Sequence, residues 1–174
     1  MTKILIADDE QAPRAQLAAA LTTAWPDATL VAQCVHGVDA WDGFLEHEPD
    51  VCFLDIRMPG LTGIEVAQRI AATGTDVPVV FVTAFGDHAL AAFDAGAIDY
   101  VMKPVDAERL AQAVTRVKQR LQPNGSHNNE AEGKLKTASL SALLAAIAGE
   151  VVSPGRKLDV IQASVGKEVR LIRV

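Results

Sequence analysis

Five side chains able to do polar chemistry sit at the ends of short apolar runs. Asp8 and Asp9 follow residues 3–7, Asp55 follows Val51–Leu54, Thr83 follows residues 77–82, and Lys103 follows residues 98–102. If the runs are neighbouring strands, three carboxylates meet at one sheet edge, where they repel one another unless a cation joins them. An all-oxygen acidic set suits Mg²⁺, which binds through a few carboxylates and keeps several waters. A carboxylate not used up by the metal can attack phosphorus. A lysine ammonium and a threonine hydroxyl can then hold the phosphoryl oxygens.

Each residue alone has a plain explanation. Asp8-Asp9-Glu10 could be a solvated acidic helix start that complements the helix dipole. Lys103 could be a surface lysine and Thr83 a strand-end hydroxyl. Asp55 could cap the next helix, but Thr62-x-x-Glu65 has the form of a capping box and serves that purpose better. Met58-Pro59-Gly60 forces a turn directly after Asp55, since Pro fixes φ and Gly permits φ > 0. Convergence of all five on one edge is what favours a site.

The elements that must position them alternate. Residues 3–7 read as a strand, and Pro13 falls in the first turn of a helix striped by Leu17, Ala18, Leu21 and Trp25. Residues 28–35 form a second strand. Val38, Trp41 and Leu45 mark a second helix, which Pro49 ends. Val51–Leu54 is short and apolar, as a strand buried on both faces is. Val66, Ala67 and Ile70 share a face of a third helix. Residues 77–82 and 98–102 are the fourth and fifth strands. A short fourth helix carrying Ala89, Ala92 and Phe93 lies between them. Leu110, Val114, Val117 and Leu121 stripe a fifth helix. Five such units predict an α/β fold, a doubly wound parallel sheet whose right-handed crossovers gather the strand C-termini on one edge.

Composition bounds the rest. The chain has 174 residues and is 49% hydrophobic, enough for an ordinary core. No apolar run is long enough to span a membrane and the start carries no signal-like segment, so a cytoplasmic protein is expected. Cys34 and Cys52 lie in strand-like segments and read as buried free thiols. The four histidines have no metal-ligand spacing. Residues 1–124 hold 9 Lys/Arg against 17 Asp/Glu, a net −8, and do not attract nucleic acid unaided. Residues 125–174 hold 7 against 5, a net +2 that permits such a role without arguing for it.

The segments I-L-I-A-D-D-E, F-L-D-I-R-M-P-G-L-T-G, V-V-F-V-T-A-F and D-Y-V-M-K-P-V resemble the receiver domain of two-component response regulators over residues 1–122. The resemblance implies a flavodoxin-like sheet in the order 2-1-3-4-5. It implies that Asp55 accepts a phosphoryl group from a sensor histidine kinase. Asp8, Asp9, Asp55 and the backbone carbonyl of Arg57 would hold Mg²⁺. Thr83 and Lys103 would bind the phosphoryl oxygens, and the bond before Pro104 would be cis. Thr83 and Tyr100 would form a switch pair that remodels the face of the fourth helix, fifth strand and fifth helix, where family members dimerise. Such a domain is a regulatory phosphoacceptor, not an enzyme, although it takes part in its own phosphotransfer and dephosphorylation. A rival, a phosphohydrolase of the haloacid dehalogenase type, would place its nucleophile in a D-x-D after strand one; here strand one ends in D-D-E.

Residues 123–136 have the composition of a flexible linker. Leu140, Leu143, Leu144 and Ile147 predict an amphipathic helix over 137–149. Residues 156–174 read as a β-hairpin whose V-G-K-E-V-R-L-I-R-V is similar to the opening of a LytTR DNA-binding domain. Residues 85–105 likewise resemble receivers of that subfamily. The rest of such a domain would lie beyond Val174, so DNA binding and transcription control are expected of a longer protein and not of this chain. The alternative is a receiver acting through protein contacts without DNA output.

Overall fold

A computed structural model describes residues 1–84 and 96–122. Five parallel strands, β1 (Thr2–Ala7), β2 (Ala28–Cys34), β3 (Val51–Leu54), β4 (Val79–Thr83) and β5 (Asp99–Met102), form one sheet in the order β2-β1-β3-β4-β5. Four helices accompany them: α1 (Gln11–Ala24), α2 (Gly37–His47), α3 (Gly63–Ala72) and α4 (Ala107–Leu121). This α4 is the fifth helix of the sequence reading. The expected fourth helix, the linker, the 137–149 helix and the hairpin lie outside the described residues, as do His88 and His127.

β3 is buried at all four positions, as a strand covered on both faces must be. One side of the sheet carries Leu5, Cys52, Leu54, Phe81 and Tyr100 against α2 and α3 residues such as Phe44, Val66 and Ile70. The other carries Ile4, Ile6, Phe53, Val80 and Val101 against Leu17 and Leu21 of α1 and Leu110, Val114 and Val117 of α4. Fully burying one such aliphatic side chain stabilises the fold by roughly 1.5–3 kcal/mol. Trp25 is buried just past α1, with the Lys118 ammonium 5.0 Å from its ring centroid.

Strand boundaries shift slightly from the sequence reading. β4 starts at Val79 because Pro78 has no N–H to give; the Pro78 carbonyl still accepts from Cys52 N–H at 3.1 Å.

The stripe expected for the second helix is corrected. Val38 and Leu45 are 45% and 55% exposed, and Trp41 is half-buried. The buried face is instead Gly37, Ala40, Gly43 and Phe44. Small residues face inward because α2 lies close to its neighbours. A Cβ at Gly37 would fall 1.8 Å from the Leu61 carbonyl oxygen, and one at Gly43 would be 3.4 Å from Cys34 Sγ. Trp41 stacks on Phe44 with ring centroids 5.7 Å apart, covering the rim of the core.

Candidate functional site

The C-terminal ends of β1 and β3 are tied one residue beyond their ladders. Asp55 N–H donates to the Ala7 carbonyl at 2.8 Å, and Asp8 N–H to the Cys34 carbonyl at 3.1 Å. Those bonds fix Asp8 and Asp55 side by side just past the paired residues Ala7 and Leu54. Lys103 is placed the same way: its N–H donates to the Thr83 carbonyl at 2.9 Å.

Two turns aim the carboxylates. Asp8 Oδ1 accepts from Glu10 N–H at 2.9 Å, and the Arg14 guanidinium donates to the Asp8 carbonyl at 2.6 Å. Asp55 Oδ1 accepts a longer bond from Arg57 N–H at 3.3 Å. Beyond Met58-Pro59, Gly60 takes φ +81°, a conformation that strains any residue with a Cβ. The loop closes where Thr62 caps α3. Its hydroxyl accepts from Glu65 N–H at 3.2 Å, and the Glu65 carboxylate accepts from Thr62 N–H at 2.8 Å. Asp55 is therefore left for other work. Gly63 is needed for close approach, since a Cβ there would lie 2.1 Å from the Asp55 carbonyl oxygen.

Asp8, Asp9 and Asp55 each offer an oxygen within 4.8 Å of the others. Asp8 and Asp55 are buried, while Asp9 is exposed. Lys103 Nζ sits 2.7 Å from Asp8 Oδ2 and 2.8 Å from Asp55 Oδ2. Burial alone would lower the Lys103 pKa. The hydrogen bonds to Asp55 and then Asp8, with the charges behind them, outweigh it and hold the ammonium above its ordinary range. Three carboxylates against one ammonium leave a net formal charge of −2, which a divalent cation matches. The donors are hard oxygens from short side chains around an open cleft of about 450 Å³ lined by Asp9, Asp55, Arg57, Met58, Thr62 and Ala84. The residues present thus fit Mg²⁺.

Thr83 closes β4 fully buried, beside Met102 in the ladder. Tyr100 is 2% exposed and belongs to the core on the α2–α3 side. The Lys103–Pro104 peptide is cis. Cys34 and Cys52 are buried free thiols, and burial pushes both pKa values up, that of Cys34 to about 11.

Sequence reasoning missed a second polar centre. Asp99, 1% exposed, is held by two arginines of α4. The signals were an aspartate inside an apolar strand run and two arginines seven apart on one helix face.

A family model for the response regulator receiver domain matches residues 4–115, and the chain belongs to that family. It is 36% identical over 170 residues to an uncharacterized response regulatory protein of Vibrio cholerae, covering 98% of this chain and 62% of that protein. It is 33% identical over 153 residues to the sensory transduction protein LytT of Bacillus anthracis, covering 87% of this chain and 61% of that one. These matches support a receiver of the LytTR type. The chain thus spans about three fifths of the length of these two relatives. Among solved structures, the response regulatory domain of protein mrkE from Klebsiella pneumoniae superposes with a TM-score of 0.62 at 31% identity, over 67% of this chain and 95% of that one. The fold is flavodoxin-like, in the strand order that the resemblance implies. No described helix is long and apolar enough to cross a membrane.

Proposed function

We propose that this chain is the phosphorylation-controlled input of a cytoplasmic response regulator, with Asp55 as phosphoacceptor. The observation that carries the reading is Lys103 Nζ, held between Asp8 and Asp55 at 2.7 and 2.8 Å. That contact positions the Asp55 carboxylate beside a cation able to receive phosphoryl oxygens. In the transfer, an Asp55 carboxylate oxygen bonds to phosphorus of a phosphohistidine on a sensor kinase. The P–N bond breaks, and its electron pair leaves with the imidazole. Mg²⁺, held by Asp8, Asp9, Asp55 and the Arg57 carbonyl, would neutralise charge on the phosphoryl oxygens.

The new group brings about −1.5 to −2 charge and three acceptor oxygens. Lys103 and the Thr83 hydroxyl can bind them in only one arrangement of the loops, which shifts an existing two-state equilibrium. Tyr100, buried on β5 in the core on the α2–α3 side, is the side chain whose position would follow Thr83. The face containing β5 and α4 is then the surface through which phosphorylated copies dimerise. In the longer protein, a LytTR-type domain would turn dimerisation into DNA binding and transcription control.

The test is intact mass after incubation with Mg²⁺ and acetyl phosphate. A phosphoryl adduct on the wild type and none on Asp55→Asn is expected. No adduct on folded wild type would overturn the reading.

A further inference from the structure

Asp99 opens β5, an edge strand of the sheet among the described residues, and its carboxylate is saturated. Oδ1 accepts from Arg109 Nη2 and from the Tyr100 amide at 2.8 Å; Oδ2 accepts from Arg109 Nη1 at 3.1 Å and from Arg116 Nη1 at 2.9 Å. Arg109 Nη2 also donates to the Tyr100 carbonyl. Both backbone polar groups of Tyr100 are thus engaged by one ion pair, where an inner strand would have a neighbouring strand. Arg109 does this from the first turn of α4, whose Asp106 cap accepts from its own N–H at 2.9 Å.

The two arginines are not equivalent. Among the described residues, Arg116 touches the carboxylate and not the Tyr100 carbonyl. Arg109 bridges the carboxylate and the Tyr100 carbonyl, and only a planar guanidinium fork can do so at fixed geometry. Three residues after Tyr100, the same strand delivers Lys103 to Asp8 and Asp55. A strand of four residues on a sheet edge is weakly held by its ladder alone. It is held at one end by the site through Lys103 and at the other by α4 through Arg109.

We propose that Arg109, acting through Asp99, is a positioning residue for Tyr100: it locks β5 to α4 so that a change at Asp55 reaches Tyr100 and the α4 face together. This rests on the reading that Asp55 is phosphorylated and that Tyr100 responds.

Tyr100 is the sole tyrosine of the chain, so 3-fluorotyrosine labelling gives one ¹⁹F resonance that reports it. Wild type, Arg109→Lys and Arg116→Lys are compared with Mg²⁺, before and after acetyl phosphate, with intact mass recorded in parallel. All three should gain the phosphoryl adduct at rates within about threefold of one another, since none of the changed groups touches Asp55. The wild-type and Arg116→Lys resonances should shift fully to a new position. That of Arg109→Lys should move less than about half as far, or broaden between two positions, because a lysine cannot hold both acceptors. An equal, full shift in Arg109→Lys would overturn the proposal. So would equal losses in both variants, which would make the cluster a simple charge pair. An adduct on wild type with no shift at Tyr100 would overturn the switch reading, and no adduct at all the phosphoacceptor reading. The proposal falls with either, and the mass and resonance readouts tell the cases apart.

Discussion

Lys103 Nζ lies 2.8 Å from Asp55 Oδ2 across 48 residues of sequence, and the same nitrogen lies 2.7 Å from Asp8 Oδ2. One ammonium thus separates two buried carboxylates that would otherwise face each other. Replacing it by a neutral group, as in Lys103→Gln, leaves both charges without a cation. We expect a loss of about 1–3 kcal/mol in urea unfolding without divalent ions. Added Mg²⁺ should restore part of it, more in the variant than in the wild type. An unchanged urea midpoint would contradict this role for Lys103.

Asp9 tests the metal site with less risk to the fold, because it is exposed and Asp8 is not. At tenfold over its dissociation constant, Mg²⁺ should stabilise the wild type by about 1.4 kcal/mol through mass action. In Asp9→Asn the rise in Tm at the same Mg²⁺ concentration should largely disappear. The same rise in both proteins would remove Asp9 from the metal site.

Gly63 makes a prediction about the Asp55 loop. An added Cβ would meet the Asp55 carbonyl oxygen at 2.1 Å, and backbone on either side must shift. Gly63→Ala should lose about 2 kcal/mol or more in stability. It should also phosphorylate more slowly even where it is fully folded. Gly74→Ala is a contrast: its Cβ meets nothing within 4 Å, yet φ +77° strains it, so stability falls and phosphorylation does not.

The thiols predict alkaline behaviour. Burial raises Cys34 from 9.0 to about 11. Folded protein keeps that proton while unfolded chain releases it above 9.0. The folded state therefore binds more protons in that window, and stability falls as pH rises from 9.0 toward 11. Below that window this contribution is constant. Alkylation by iodoacetamide at neutral pH should be slow for both thiols until urea unfolds the chain. Fast alkylation of the folded protein would contradict their burial.

What could be read from the sequence was set by chain-local patterns. Apolar runs, the Thr62–Glu65 box and the Met58-Pro59-Gly60 turn depend on neighbours in the chain, so the alternating elements and the Asp8, Asp55 and Lys103 convergence were legible, while the strand order came from the resemblance to receiver domains. The inward face of α2 was not. Its contacts are set by how close Leu61 and Cys34 come, and a periodicity of large apolar residues pointed to Val38 and Leu45 instead. The Asp99 cluster was hidden for a related reason. Its partners stand 10 and 17 residues away, and an aspartate in a strand carries no mark of which arginine will reach it.

Asp55 is the residue expected to carry the phosphoryl group. The most direct measurement is borohydride reduction of protein treated with Mg²⁺ and acetyl phosphate, followed by peptide mass mapping. Borohydride reduces an acyl phosphate at its carbonyl carbon and leaves free carboxylates untouched, so it marks the acceptor itself. Reduction confined to position 55, and abolished when EDTA replaces Mg²⁺, is the predicted result. A mark on Asp8, Asp9 or any other residue, with position 55 intact, would contradict the account.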